Sequence, residues 1–224
     1  MKKLLALIFT MMMVFTLAAC SSNSSSNTQN EKKTESNDVN SQAGEKETDN
    51  SNVGNNGKAN KDTVNKHILV AYFSYSGNTK VIANQIHENV GGDIFEIKTV
   101  DPYPTDYNAV VDQAKKERDE NYRPKLATKI DNIDSYDVIF VGYPDWWVNM
   151  PMPVFSFLEQ YNFSGKTIVP FCTHEGSGLG RSLDDVKKTC PQSTILDGLA
   201  ISDKDINNAA QDISNWLNKI GIIK

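Results

Sequence analysis

The chain has 224 residues, with 23 Lys and Arg against 28 Asp and Glu and a formal net charge of −5. That acidic balance argues against a nucleic-acid binder, while 39% hydrophobic residues suffice for a globular core. Three cysteines without a Cys-x-x-Cys pair, and three isolated histidines, predict neither a redox dithiol nor a metal site.

Lys2 and Lys3 precede an apolar stretch, Leu4 to Ala19, that is short for a membrane span and runs into polar sequence. This is the layout of a signal peptide over residues 1–19. It ends in Leu17-Ala18-Ala19-Cys20, which resembles the lipobox of bacterial lipoproteins. The resemblance implies that Cys20 is lipidated and becomes the mature N-terminus, anchored at about 0.8 kcal/mol per buried methylene. A plain secretory signal followed by a chance cysteine is the alternative. Residues 20–66 are mostly polar, and between Ser21 and Asn60 the only apolar residues beyond alanine are Val39 and Val53. Burial there cannot offset the entropy of ordering, so the segment is expected to be a disordered tether. Its mean reach is roughly 35–40 Å. The expected location is therefore extracytoplasmic, at a bacterial membrane, through the lipid on Cys20.

Residues 67–224 are the predicted globular domain, with 15 basic and 21 acidic residues. His67–Phe73 is an apolar run that reads as a buried parallel strand. Ser74-Tyr75-Ser76-Gly77-Asn78-Thr79-Lys80 follows, and a helix from Asn78 to about Val90 carries Ile82, Ile86 and Val90 at helical spacing. Asp93–Thr99 alternates apolar with polar and reads as a second strand at a sheet edge. Asp101-Pro102-Tyr103-Pro104 is a stiff turn, after which Thr105 is expected to cap a polar helix reaching about Asn121. Tyr136–Gly142 is a third, central strand and Pro153–Tyr161 a short helix with Val154, Phe157 and Leu158 inward. Thr167–Cys172 is a fourth strand, with a bulge expected at Pro170 because proline lacks a ladder donor. Arg181–Thr189 is a helix and Thr194–Ile201 the fifth strand. Ser202 or Asp203 is expected to cap the last helix, with Ile206, Ala210, Ile213, Leu217 and Ile220 at helical spacing. Cys172 and Cys190 fall at opposite sheet edges in this reading, beyond disulfide reach.

Strands alternating with helices specify an α/β fold, a doubly wound five-stranded parallel sheet with right-handed crossovers. The order 2-1-3-4-5 places a ligand crevice beyond the carboxyl ends of strands 1 and 3. Three loops meet at that edge. The first, Ser74–Lys80, offers backbone N–H groups at the positive end of a helix dipole, which suits a phosphate. Ser74, Ser76 and Thr79 add hydroxyls, and Gly77 allows close approach. The loop is neither a Walker A motif nor the three-glycine dinucleotide fingerprint. An ordinary Ser/Asn/Gly turn capping a helix is the alternative. The second, Tyr143–Pro151, holds Trp146 and Trp147 side by side. Neighbouring side chains diverge, so at most one indole is easily buried in the core, and an indole left beside the crevice is expected to be a stacking platform, the alternative being a plug over the sheet end. The third, Thr173–Gly180, supplies glycines, hydroxyls and His174, a candidate proton donor or a surface histidine.

The whole of residues 67–224 resembles the flavodoxin family, through Tyr72-Phe73-Ser74 with Gly77-Asn78-Thr79, Pro144-Asp145-Trp146-Trp147, and Thr173-His174-Glu175-Gly176-Ser177-Gly178. The resemblance implies a flavodoxin-like fold and an FMN cofactor. It implies that Ser74, Ser76, Gly77, Asn78 and Thr79 hold the FMN phosphate. Pro144, Asp145, Trp146 and Trp147 are then expected to contact the flavin ring, with Thr173, His174, Glu175, Gly176, Ser177 and Gly178 closing the other side. Tyr75 stands where related loops often carry a basic residue, and Glu175 where many carry glycine. The expected role is electron transfer, with redox partner proteins or membrane quinones as partners. An FMN-dependent NAD(P)H:quinone-type oxidoreductase and a cofactor-free binding lipoprotein are the alternatives.

Overall fold

The computed structural model describes residues 66–223. The signal peptide, Cys20 and all but the last residue of the expected tether lie outside the described residues. Eleven elements follow one another: β1 (Ile68–Tyr72), α1 (Asn78–Val90), β2 (Asp93–Glu96), α2 (Tyr107–Asp119), β3 (Val138–Pro144), α3 (Met152–Gln160), β4 (Thr167–His174), α4 (Ser182–Thr189), β5 (Thr194–Ile195), β6 (Leu199–Ser202) and α5 (Ala210–Lys219). The strands form one parallel sheet in the order β2-β1-β3-β4-β5, with β6 also paired to β4.

Both sheet faces are covered, which is why the central strands are apolar without alternation. Leu69, Ala71 and Phe73 join Ile139, Val141 and Tyr143 on one face, under Val154, Phe157 and Leu158 of α3 and Val186 of α4. Val70, Tyr72, Val138 and Phe140 turn to the other face, under Ile82, Ala83 and Ile86 of α1 and Ile213, Trp216 and Leu217 of α5. Cys172 and Cys190 are free thiols buried in the first of these layers. Burial, and for Cys172 also the Asp145 charge, pushes Cys172 up to about 12 and Cys190 up to about 11, so neither is a thiolate at neutral pH.

Several expectations are corrected. The bulge forecast at Pro170 falls on its partner instead. β4 runs unbroken through Pro170, and the fifth strand is split into β5 and β6. Thr194 and Leu196 donate their N–H groups to the carbonyls of Lys166 and Ile168 (2.9 and 3.0 Å). The next rung on that side falls at Pro170, which has no N–H to give. Ile168 pairs with Ile195 but Phe171 with Leu199, so three steps along β4 match four along the partner. The second strand ends at Glu96 rather than Thr99. Past Ile97 the chain leaves β1 and bridges antiparallel to residues 125–127, with Val100 N–H on the Lys125 carbonyl and Ala127 N–H on that of Lys98 (2.8 Å each). Asp106, not Thr105, caps α2, its carboxylate accepting from the Ala109 N–H at 2.9 Å. Neither Ser202 nor Asp203 caps the last helix: Ser202 ends β6, a 3-10 turn covers Ile206–Asn208, and α5 starts at Ala210 without a side-chain cap.

Candidate functional site

The turn after β1 delivers the N-terminus of α1 to the switch point of the sheet. Gly77 sits at the cap position with φ 98°, a left-handed conformation open to glycine, and no side chain caps the helix. Of the first four N–H groups, that of Lys80 goes to Ser74 Oγ (3.3 Å) and that of Val81 to the Gly77 carbonyl (3.1 Å). Those of Asn78 and Thr79 meet no acceptor among the described residues, and no acidic residue occupies the first turn. Ser76 is exposed, and Ser74 and Asn78 are half-buried. Neutral donors and the positive end of a helix dipole together make a setting in which an anion could be held. Thr79 turns inward: it is buried, and its hydroxyl lies 2.9 Å from the equally buried hydroxyl of Thr173. That bond ties the first loop to the third.

The loop after β3 is fastened mostly from outside itself. Asp145 N–H donates to the Thr173 carbonyl (2.8 Å), and Ser177 Oγ donates to the Asp145 carboxylate. Trp146 N–H donates to the Asn149 carbonyl (2.8 Å), and the buried Asn149 side chain donates to Asp185 (2.8 Å). Trp147 and Val148 both have positive φ, 53° and 62°, which is strained for non-glycine residues and most so for a β-branched one. Arg181 N–H holds the Val148 carbonyl at 3.0 Å. Gly180 makes that approach possible, because a Cβ there would lie 2.3 Å from the same carbonyl oxygen.

This backbone separates the two indoles. Trp146 is half-buried, packed edge-on against Phe73, Tyr103 and Tyr75 at centroid distances of 5.6, 5.3 and 6.0 Å. Trp147 is 37% exposed, with the Arg118 guanidinium 5.0 Å from its ring centre. A crevice of about 180 Å3 runs along both tryptophans and Asp145, bounded by Tyr75 and by Tyr107, Val110, Val111 and Ala114 of α2. Sequence reasoning had given Tyr75 and α2 no part in this wall. The aromatic residue inside a hydroxyl-rich turn was the available signal for Tyr75. No spacing rule links Arg118 to Trp147, which lie on different elements.

Asp145 is the electrostatic centre of the loops. Burial pushes its carboxyl above the usual range, while hydrogen bonding from the Asn149 backbone and the nearby His174 pull it down. Its Oδ1 is buried without a donor among the described residues. His174 Nδ1 accepts the Gly176 N–H at 2.9 Å, which leaves Nε2 to carry the proton of the neutral ring. Glu175, Gly176 and Ser177 are exposed, Gly178 is half-buried, and Pro144 closes β3 opposite Thr173. The structure thus brings the three predicted loops to one edge, joined by Thr79–Thr173 and Ser177–Asp145.

Sheet order, helix placement and loop positions together define the flavodoxin-like class of α/β proteins. The chain belongs to the flavodoxin family, whose profile matches residues 67–220. It is similar to the crystal structure of a candidate flavoprotein from Bacteroides eggerthii, at 35% identity over 71% of this chain and 99% of that one, with a TM-score of 0.62. A second candidate flavoprotein, from Bacteroides uniformis, is 28% identical over 66% of this chain and 98% of the other, with a TM-score of 0.60. A flavoprotein from Lactobacillus acidophilus in complex with FMN shares the fold at 24% identity, covering 64% of this chain and 97% of its own, with a TM-score of 0.53. No curated protein matches the chain.

Proposed function

We propose that this flavodoxin domain is an electron carrier that holds one FMN non-covalently in its three loops and works at a bacterial membrane, tethered through a lipid on Cys20. FMN is the cofactor that family membership and the Lactobacillus complex support. The observation that carries the reading is the uncapped start of α1, with two unpartnered N–H groups at the switch point. The residues fit the group. Ser74, Ser76, Gly77, Asn78 and Thr79 offer neutral donors to a phosphate. Trp147 offers an exposed ring, and the orphaned Oδ1 of Asp145 calls for a donor such as a flavin ring N–H. Bound FMN supplies one- and two-electron chemistry, and the protein contributes binding, orientation and local charge. The acidic groups Asp145 and Glu175 disfavour added negative charge on the ring and so lower its potential.

The test is direct: purified protein refolded with excess FMN and then desalted should be yellow. A colourless product without FMN affinity sinks the proposal. The membrane part is separate from the fold and is tested separately. Cys20→Ala is expected to move the protein out of the membrane fraction with FMN binding intact; a variant that stays membrane-bound after signal cleavage removes Cys20 as the anchor. Redox partner proteins or membrane quinones are the expected partners.

His174 supports a second reading, an FMN-dependent oxidoreductase passing electrons from NAD(P)H to a quinone. Its Nδ1 accepts the Gly176 N–H, which leaves Nε2 as the ring nitrogen available to exchange a proton, on the loop that closes the site. Steady-state turnover with NAD(P)H and a quinone separates this enzyme from a carrier, which shows none.

A further inference from the structure

A second cavity, of about 310 Å3, shares Ala114, Trp146 and Trp147 with the crevice beside Asp145 but extends between α2, α3 and α4. No residue of Ser74–Lys80 or Thr173–Gly178 lines it, so it is separate from the phosphate turn and the third loop. Its charge is the reverse of the domain's. Arg118, Arg123, Arg181 and Lys188 line it against Glu159 and Asp185, an excess of two positive charges in a domain where acids outnumber bases 21 to 15.

The pairing inside the wall shows which cations are free to act. Glu159 is taken by Arg123 through two bonds of 2.7 Å. Asp185 accepts from Lys188 (2.9 Å) and from Asn149 (2.8 Å). Arg181 reaches Asp185 only at 3.8 Å, and its side chain is 63% exposed. Arg118 bonds Asp119, which does not line the cavity. Arg118 gives both Nε and Nη2 to Asp119, so only its Nη1 is without an acceptor among the described residues; Arg181, at the start of α4, is the main anchor left for an incoming anion, with the Nη1 edge of Arg118 on α2 as a second. Beside these charges and the polar Asn121, Asn149 and Thr189, the wall is aromatic and apolar. Arg118 lies over the Trp147 ring and Arg123 over the Phe155 ring, each at 5.0 Å, and Met150 and Met152 line the cavity beside them. The volume is at the lower end for small-molecule pockets, which fits one or two fused rings and excludes a dinucleotide.

We infer that this cavity is a second ligand site, for a small planar organic anion of the aromatic carboxylate class, held by Arg118 and Arg181 along the apolar wall of Met150, Met152 and Phe155. Only its adjacency to the flavin rests on the function proposed above; the site itself stands on the cavity and its charges.

The test is isothermal titration of the detergent-solubilised full-length protein, with and without FMN, using 2-naphthoate as probe and neutral 2-naphthamide as comparator. The expected result is saturable 2-naphthoate binding in both forms, about tenfold or more tighter than the amide. The double variant Arg118→Gln/Arg181→Gln is expected to weaken 2-naphthoate by about tenfold or more, and Arg181→Lys to retain part of the loss. An unchanged thermal unfolding midpoint in the variants shows that folding is intact. No binding, equal binding of the amide, competition between 2-naphthoate and FMN, or an unaffected double variant each overturns the inference. So does binding of an acidic peptide in place of 2-naphthoate, which would make the basic wall a protein-docking face. Flavin absorbance of the same samples reports FMN binding independently, so failure of one claim is not mistaken for failure of the other.

Discussion

The backbone of the turn after β1 is held by its own neighbours, with Lys80 N–H on Ser74 and Val81 N–H on Gly77, while the Tyr75 and Thr79 hydroxyls reach out to the Pro104 carbonyl and to Thr173. The turn after β3 is held from far along the chain. Thr173, Ser177, Arg181 and Asp185 anchor its backbone or side chains, and Arg118 covers its outer indole. The first loop can be unstrained because a helix N-terminus offers anion donors in its ordinary geometry. The second must place a large ring at the surface, and it does so with two consecutive left-handed residues that only outside contacts can sustain. A helix N-terminus with free N–H groups can thus be presented locally, whereas the exposed indole here is a product of packing.

The sharpest way to break this contrast is to treat the two tryptophans alike. Trp146 packs against three rings, so Trp146→Ala is expected to destabilise the protein by about 3 kcal/mol, near the lower end for a core tryptophan. Trp147→Ala, at an exposed position, is expected to change stability by less than about 1 kcal/mol. Denaturant unfolding of both variants measures the difference. Equal losses would mean that both indoles are structural and that no platform is held at the surface.

Next in size are the effects on ligands. Thr79→Ala is expected to cost roughly 1–3 kcal/mol of FMN affinity, with little effect on riboflavin, which lacks the phosphate. Trp147→Ala is expected to weaken both ligands, because stacking involves the ring they share. Fluorescence-quenching titrations with each ligand provide the measurement. Because the Thr79 hydroxyl pairs with Thr173, Thr173→Val sharpens the result. If it reproduces the Thr79→Ala loss, the hydroxyl acts by joining the first and third loops. If FMN affinity survives in Thr173→Val, the Thr79 hydroxyl serves the phosphate itself. Equal loss of FMN and riboflavin in Thr79→Ala would remove the phosphate from this loop.

The smallest effect concerns pH. The Asp145 carboxyl is raised by burial, so the native state keeps its proton to higher pH than the unfolded chain does. In the window from about pH 4 up to the raised value, the native state binds more protons, and stability falls as pH rises. Asp145→Asn removes that contribution. Unfolding midpoints measured between pH 4 and 7 should therefore decline less steeply in the variant, and an identical slope would show that Asp145 titrates normally. A bound flavin that donates to Oδ1 would favour the ionised carboxylate and flatten the wild-type slope towards that of the variant.

The alternation of elements, the sheet order and the position of all three loops were legible in the sequence, because each rests on a short-range pattern. Buried parallel strands are continuous apolar runs, as in Ile68–Tyr72 and Val138–Val141, and their covering helices repeat apolar residues every three or four positions, as at Ile82 and Ile86. The hydroxyl- and glycine-rich turn marked the start of α1 for the same reason. Tertiary structure decided the rest. Pro170 announced a fault in the sheet, but the missing donor faces the neighbouring strand, so the neighbour gives way between β5 and β6. Two adjacent tryptophans announced a division between core and surface. Their assignment followed from Arg181 and Gly180 fixing the Val148 carbonyl, and from Phe73, Tyr75 and Tyr103 enclosing Trp146. Likewise, the basic cavity gathers Arg118, Arg123, Arg181 and Lys188 from separate segments that carry no common motif. Periodicity records how a segment meets the core, whereas contacts between segments depend on packing distances that no local pattern contains.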